Sequence, residues 1–468
     1  MKGVSQWSFQ PYRPPMFETG EPYICRVCPG EGSVGFDWLD PAGEGKYTAH
    51  LRRRGSSEDF LTLETEEGSA RFDGLDDGAD YEFYVSCGER RSRVRLARTG
   101  AVPGTSVVNY LHPEDGAYAY SGQYLCSPSM VRLPDGALLA SMDVFRGGAP
   151  QDLTLIYRSD DDGITWRYVS ELFPCFWGKL FLHRGALYML SCSTEYGDLL
   201  IGRSDDGGKT FGMPTVLLRG SSGFRQPGVH KNPQPVIEYG GRLWATLEWG
   251  SWATGTHAAM VGSVDAEDDL LRAENWRFTP PVPYDPSWKG TAVGPSAGCI
   301  EGCLTAAPDG QLYSVMRYQM GGCTPSYGRA VVMKPKPADP EAPLAFERVI
   351  EFPGNHSKFT IQRDPVSGKY LSLASYLCPG HPDGRNWLAL LVSDDPVRGT
   401  WRKALDVFDY RDTPIRDVGF QYVDFFPEGD DLLLLCRTAW NGAANFHDAN
   451  YSVFHRIRGF RDRIRSFL

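Results

Sequence analysis

A short phrase occurs twice in this chain and constrains its fold more than any other feature. Ser159-Asp160-Asp161-Asp162-Gly163-Ile164-Thr165-Trp166 and Ser204-Asp205-Asp206-Gly207-Gly208-Lys209-Thr210-Phe211 share the pattern Ser-x-Asp-x-Gly-x-Thr-aromatic, with the serines 45 residues apart. Each copy follows a short apolar stretch, 153–157 in one case and 199–201 in the other. The carboxylate after Ser suits backbone N–H donors, Gly supplies φ > 0, and the aromatic tucks under the sheet, so the phrase is a turn between strands. Strand-and-turn units repeating at about 40–50 residues mark propeller blades.

The same unit recurs along the chain. Apolar hairpins centre on the turns at 134–136, 184–185, 240–241, 309–310, 367–368 and 429–430, and a degenerate third phrase runs from Ser393-Asp394-Asp395 to Gly399-Thr400-Trp401. That makes six units. A seventh blade could be assembled from residues 107–120 together with the C-terminal strand 451–457, closing the ring by pairing the two ends. With 52 Gly, 34 Pro and 13% aromatic residues, the composition favours a turn-rich all-β protein.

Ahead of the repeats, residues 20–100 read as short strands at 23–27, 33–38, 47–52, 60–63, 81–87 and 92–97. The spacing Leu75-x-x-Gly78-x-x-Tyr81-x-x-Tyr84-Val85 looks like the corner before the sixth strand of fibronectin type III domains, where the tyrosine hydroxyl bonds back to the chain. The spacer around Pro103-Gly104 separates this accessory sandwich from the rest.

A net charge of −10 with no Lys/Arg cluster argues against a nucleic-acid partner or a membrane surface, so an acidic substrate would need a local basic pocket. No apolar h-region opens the chain and no run of about 18 apolar residues suggests a membrane span. The 11 cysteines, odd in number and scattered, fit a reducing, cytoplasmic setting. Cys25-x-x-Cys28 and Cys299-x-x-x-Cys303 read as buried small hydrophobes rather than metal ligands. No cofactor is required by any motif, although a carboxylate and histidine cluster at a propeller centre can hold Ca²⁺ or Zn²⁺.

Blade geometry predicts a functional face. The hairpin turns and the repeated phrase share one side of the disc, so starts of first strands, ends of second strands and the loops after them line the opposite side. There the chain keeps Gln123, Asp143, Trp177, Lys179, Glu195, Tyr196, His230, Asn232, Glu248, Trp249, Glu301, Arg317, Lys358, Gln421, Tyr422, Arg437, His447 and Asp448, with His356 and Tyr376. Such a mixture suits a sugar, since rings stack on CH faces, carboxylates and amides bond hydroxyls, and Arg or Lys bonds an acidic substituent. Glu301, His230 and His447 are the acid/base candidates. Arg317, Arg437 and Lys358 are placed to hold a carboxylate, and Trp177, Tyr196 and Trp249 to stack on sugar. Hydrolysis would use a close pair among Glu195, Glu248, Glu301 and Asp448; elimination would use a His or Tyr base next to a uronate carboxylate.

The repeated phrase resembles the Asp-box of the sialidase-like β-propellers. True sialidases open the first blade with Arg-Ile-Pro, whose arginine holds the substrate carboxylate; here Cys126-Ser127-Pro128 stands in its place. Asp152 falls roughly where their acid/base Asp would sit. A nearer resemblance rests on Trp177-Gly178-Lys179-Leu180-Phe181-Leu182-His183, Ser193-Thr194-Glu195-Tyr196-Gly197, Lys358-Phe359-Thr360-Ile361, Gly419-Phe420-Gln421-Tyr422-Val423-Asp424 and His447-Asp448-Ala449-Asn450-Tyr451. These phrases look like those of bacterial sialidase-like proteins, some acting on L-rhamnose linked α-1,4 to D-glucuronate as rhamnosidases or lyases. Where those members are expected to carry a His before Asp143, this chain has Met142. The expected fold is all-β: a fibronectin type III-like β-sandwich over residues 1–100, then a six- or seven-bladed sialidase-like β-propeller over 101–468. The expected function is cleavage of a terminal glycosidic bond in a small acidic oligosaccharide, with a non-catalytic glycan-binding propeller or an exo-sialidase as alternatives and a homo-oligomer possible.

Overall fold

A computed structural model describes residues 7, 19–43, 45–221, 225–291, 296–320, 327–354 and 357–468. Two small sheets come first. One contains Tyr23–Gly30, Ser33–Leu39 and Ser69–Asp73; the other contains Leu61–Thr65, Tyr47–Arg53 and Asp80–Cys87, with Arg90–Arg91 and Arg95–Arg98 both paired to the last of these. Alternation along Tyr47–Arg53 and Asp80–Cys87 buries every second residue, so Ala49, Leu51, Phe83 and Val85 meet Val27, Val34 and Phe36 in one core. The Asp76 N–H donates to Tyr81 Oη at 3.0 Å, closing the expected corner. Ser69–Asp73 escaped sequence analysis because its five residues lie between Gly68 and Gly74 and read as turn.

Six further sheets follow, each built mainly of four antiparallel strands. Blade 1 runs through Tyr124–Arg132, Leu138–Phe145, Leu153–Ser159 and Arg167–Leu172, and blade 2 through Phe176–His183, Ala186–Cys192, Leu199–Ser204 and Thr215–Leu218. Blade 3 is irregular at both edges around Arg242–Ser251 and Thr256–Asp265. Blade 4 spans Ser296–Ala306 to Ala345–Glu351, and blade 5 spans Thr360–Arg363 to Arg402–Asp409. Blade 6 takes Gly419–Glu428, Asp431–Ala439 and Tyr451–Ile457 from the C-terminal end and Ser106–Tyr110 from the start of the ring. The ends of the chain therefore pair as expected, but they complete the sixth blade. No seventh is formed from them.

The repeated phrase makes the turns its chemistry predicts. Asp161 accepts the Thr165 N–H (2.8 Å) and Ser159 Oγ accepts the Gly163 N–H (2.8 Å); Asp206 and Ser204 do the same for Thr210 and Gly208, each at 2.9 Å. Trp166 packs on Phe454 of blade 6 and its Nε1 donates to Ser106 Oγ at 3.0 Å, so the first turn also pins the closing strand. The sandwich is joined to the ring by polar contacts: a buried Arg95–Asp115 ion pair (2.6 Å), Arg26 Nε to the Val108 carbonyl (2.9 Å) and Tyr157 Oη to the Cys25 carbonyl (3.0 Å). No helix among the described residues is long and apolar enough to cross a membrane.

Candidate active site

The innermost strands carry a common irregularity. Their pairing slips between Cys126 and Ser129, Phe176 and Lys179, Ile300 and Cys303, and Gln421 and Asp424. At each bulge one residue adopts a left-handed backbone: Ser127 (φ 51), Trp177 (φ 53), Glu301 (φ 56) and Tyr422 (φ 57). Bulges re-aim a side chain at the cost of a ladder bond, and the left-handed region disfavours any residue with a Cβ. The backbone so displaced is braced from neighbouring blades. Asp143 accepts the Trp177 N–H (2.6 Å); Lys231 Nζ bonds the Trp177 carbonyl (3.0 Å); Gln234 Nε2 bonds the Glu301 carbonyl (3.0 Å); Thr360 Oγ1 and Lys358 Nζ bond the Val423 carbonyl (3.0 and 3.3 Å).

Two of the four bulge residues meet across the axis. Tyr422 Oη donates to Glu301 Oε1, and Arg317 Nη1 holds Glu301 Oε2 at 2.6 Å while approaching Tyr422 Oη at 3.3 Å. Burial pushes the Glu301 pKa up, but the Arg317 charge and the bonds from Tyr422 and Arg317 outweigh it, and the net shift is downward. Glu301 is therefore an ionised acceptor beside a phenol, a base rather than an acid. Burial and the Glu301 charge push the Tyr422 hydroxyl up to about 12.

Two more guanidinium groups join this pair. Arg437 lies over the Tyr422 ring (5.0 Å) and the Phe145 ring (4.5 Å), donates through Nη2 to the His447 carbonyl, and keeps a buried Nε without a hydrogen-bond partner among the described residues. Arg385 donates to Gln421 Oε1, and Gln421 Nε2 in turn bonds the Phe446 carbonyl at 2.6 Å. Burial first, then the charge of Arg317 and that of Arg437, drive the Arg385 pKa down to about 9, against the pull of Tyr422 and Glu301. Among the described residues, three buried guanidinium groups thus surround the Tyr422–Glu301 contact, with Asp448 also within electrostatic reach of Arg437, and cations outnumber carboxylates there. An anionic ligand would relieve that imbalance.

The other expected residues divide into braces, buried partners and rim. Lys179 is buried in an ion pair with Asp424 (2.5 Å), whose carboxylate also accepts the Met130 N–H (2.8 Å). Lys358, expected to hold a substrate carboxylate, is instead spent on the Val423 carbonyl, and burial lowers its pKa to about 8. His230, expected as an acid or base, is 2% exposed, with Nδ1 on Glu248 (2.6 Å) and its ring packed on Trp177 (4.5 Å) and His257 (4.9 Å). Trp177 and Tyr196, expected to stack on sugar, are buried against each other, and Trp249 packs on the same apolar cluster. Asn232 is buried, its Oδ1 lacking a partner among the described residues. His447, the third acid/base candidate, lies exposed at the rim, paired with Asp448 (2.8 Å), whose other oxygen takes Asn445 Nδ2 (3.0 Å). Glu195 is half-buried and accepts Gln151 Nε2 at 2.6 Å. His356 lies outside the described residues. Among those described, no three His, Cys, Asp or Glu side chains gather as a metal site would require.

Arg385, Lys231, Gln234 and Asp424 were not legible in the sequence as site residues. Arg385 follows His381-Pro382-Asp383-Gly384, which reads as a turn; its only signal is a cation just before the buried strand Trp387–Ser393.

Neither a protein-family model nor a curated protein sequence matches the chain. Solved structures do. The α-L-arabinofuranosidase of Fusarium graminearum, in complex with an iminosugar inhibitor, superposes with a TM-score of 0.52 at 13% identity, covering 78% of this chain and 100% of its own. The fold is a sialidase-like β-propeller. A Hadza microbial sialidase gives a TM-score of 0.50 at 13% identity over 96% of this chain and 94% of its own, and the leech intramolecular trans-sialidase gives 0.50 at 10% over 95% and 92%. These likenesses establish the propeller; the chemistry rests on the chain's own residues.

Proposed function

We propose that this propeller is a carbohydrate-active enzyme cleaving a terminal glycosidic bond in a small acidic oligosaccharide by hydrolysis through a glycosyl–tyrosine intermediate. The observation that carries this reading is the Tyr422–Glu301 contact among Arg317, Arg385 and Arg437. Glu301 takes the phenolic proton as Tyr422 Oη attacks the anomeric carbon. The bond to the departing sugar breaks, its oxygen gaining a proton from an acid in the cleft. Water then attacks the same carbon, gives its proton back to that acid, and Tyr422 recovers its own from Glu301. Tyrosine is the nucleophile of choice where an anionic substituent would repel a carboxylate. The arginines seat the substrate carboxylate and favour the phenolate as it forms.

The neighbours named above as arabinofuranosidase and sialidases agree with a sugar substrate, and the resemblance to the rhamnosyl-glucuronate group suggests a uronate. The fibronectin type III-like reading of residues 1–100 as an accessory domain is supported by the sheet order and by Tyr81. The test is incubation with rhamnosyl-glucuronate, a panel of uronic acid disaccharides and a sialoside, followed by mass spectrometry of enzyme trapped with the fluorosugar matching any substrate found. Sugar release with added mass on the Tyr422 peptide is expected. Ultraviolet-absorbing unsaturated uronate without an adduct would mean elimination, and binding without turnover would mean a lectin; either overturns the proposal.

A further inference from the structure

We propose that Glu195 is the proton donor to the departing sugar, a catalytic role that rests on the hydrolytic reading above. Of the carboxylates near the cleft all but Glu195 and Asp152 are engaged by a cation, a histidine or several donors, and Asp152 keeps its Oδ1 buried while Glu195 is partly open to solvent. Glu301 is neutralised by Arg317, Glu248 is bonded to His230, and Asp424 is paired with Lys179. Asp448 is shared between His447 and Asn445 on the rim. Asp143 is fully buried and holds Thr154 Oγ1 (2.5 Å) and the Trp177 N–H. Each of these carboxylates is committed. Among the described residues Glu195 has one hydrogen-bond partner, the neutral Gln151 Nε2 on Oε2, and it is half-buried in the loop that follows the second strand of blade 2.

Its placement is fixed from both sides. Gln151, in a left-handed conformation (φ 54), anchors its N–H on the Ser121 carbonyl at 2.9 Å, and Thr194 Oγ1 donates to the Pro150 carbonyl, so the loops of blades 1 and 2 are tied together beside the carboxyl group. Tyr196, next in sequence, lies within electrostatic reach of both Glu195 and Tyr422, and His230 within reach of both Glu195 and Glu301. Among the described residues, the titratable groups within electrostatic reach of Glu195 include His230, Tyr196 and Cys126. Burial raises the Glu195 pKa, opposed by Gln151 and by His230, so the group holds a proton further toward neutral pH than an exposed glutamate does. In the step itself the proton on Oε1 passes to the glycosidic oxygen as the C–O bond breaks. The carboxylate left behind then takes a proton from the water that releases the sugar from Tyr422, and no other reactant is needed.

The experiment uses the full chain and the acidic glycoside it cleaves, offered on a poor leaving group, a second sugar, and on a good one, an aryl phenolate. Glu195→Gln should lower kcat/KM about a hundred- to ten-thousandfold on the disaccharide, but far less on the aryl glycoside. It should also lose the alkaline limb of the pH profile. Added azide should restore turnover and yield the glycosyl azide, because a small anion can replace the missing base in the second step. Equal losses on both leaving groups, or the same signature in Asp152→Asn with Glu195→Gln unaffected, would overturn the assignment. The two proposals fail separately: a Tyr422 adduct with no leaving-group dependence in Glu195→Gln sinks only the acid, whereas absence of the adduct sinks the hydrolytic reading beneath it.

Discussion

Replacing Glu301 by glutamine tests the electrostatic keystone of the site. The side chain keeps its shape but loses the negative charge that pairs with Arg317 and lies within electrostatic reach of Arg385. Breaking a buried pair by neutralising one member typically costs about 3–5 kcal/mol, because the partner stays buried and uncompensated. Here Arg317 is 7% exposed and Glu301 3%, and two further guanidinium groups share the pocket, so a loss of about 4 kcal/mol is expected. Urea unfolding followed by tryptophan fluorescence measures it. Arg317→Met added to Glu301→Gln should recover much of the loss, giving a coupling of about 2–3 kcal/mol between the two positions. The pH dependence follows from the lowered pKa of Glu301. A carboxylate whose folded value lies below its unfolded one stabilises fully above the unfolded value and loses that contribution as pH falls through the folded one. The gap between wild type and Glu301→Gln should therefore be constant above pH 4.5 and narrow below it. Acetate should raise the midpoint of the variant more than that of wild type. Additive losses in the double variant, or a gap below about 1 kcal/mol with no response to acetate, would refute the picture of Glu301 balancing Arg317 in a cation-rich pocket.

Other parts of the molecule give simpler expectations. Lys179→Met should destabilise by about 3–5 kcal/mol in the same urea assay, since it strands Asp424 in the channel floor. Gly163→Ala should cost about 1–3 kcal/mol, because φ is +86 there and the new methyl group would meet the Phe454 ring; hydrogen exchange should show the loss concentrated at the pairing of Ser106–Tyr110 with Tyr451–Ile457. Tyr81→Phe removes the acceptor of the Asp76 N–H and should cost about 1 kcal/mol while leaving turnover unchanged.

The repeat was legible because its bonds are local: Asp161 reaches Thr165 and Asp206 reaches Thr210, four residues on. The blade count was not: the pairing of residues near 107–110 with 451–457 was expected, but nothing in either stretch says that the two strands complete the sixth blade rather than begin a seventh. Within the site, Glu301, Arg317, Tyr422 and Arg437 could be named from their places at strand starts and ends. That Tyr422 would meet Glu301 could not be read, since a position does not say which neighbour a side chain will meet. Lys179 and Lys358 have the same sequence signature as substrate-binding lysines, and only the arrival of Asp424 and the Val423 carbonyl from blade 6 shows them already engaged. His230 looks available until Glu248 and Trp177 close over it.

The bulges explain why so many polar residues are committed to bracing. A regular innermost strand would leave Glu301 and Tyr422 within the pleat of their own blades, and they would not converge. The left-handed turn at each residue re-aims it, at about 1–3 kcal/mol per position, and displaces backbone groups from the ladder. Those groups must find partners inside a buried channel. Lys231, Gln234, Lys358, Thr360 and Asp143 supply them, each reaching from a neighbouring blade. The braces therefore couple blades that share no strand pairing, and the geometry of the Tyr422–Glu301 contact depends on residues that never touch it. Gln234 is the sharpest case, because one carboxamide holds both the Glu301 carbonyl in blade 4 and the Phe359 carbonyl at the entry to blade 5. Gln234→Leu should keep the fold yet lower kcat with little change in KM, since seating by the arginines is untouched while the base that accepts the Tyr422 proton loses its backbone anchor. A variant with unchanged kcat and raised KM would instead place Gln234 in substrate binding and remove the bracing argument.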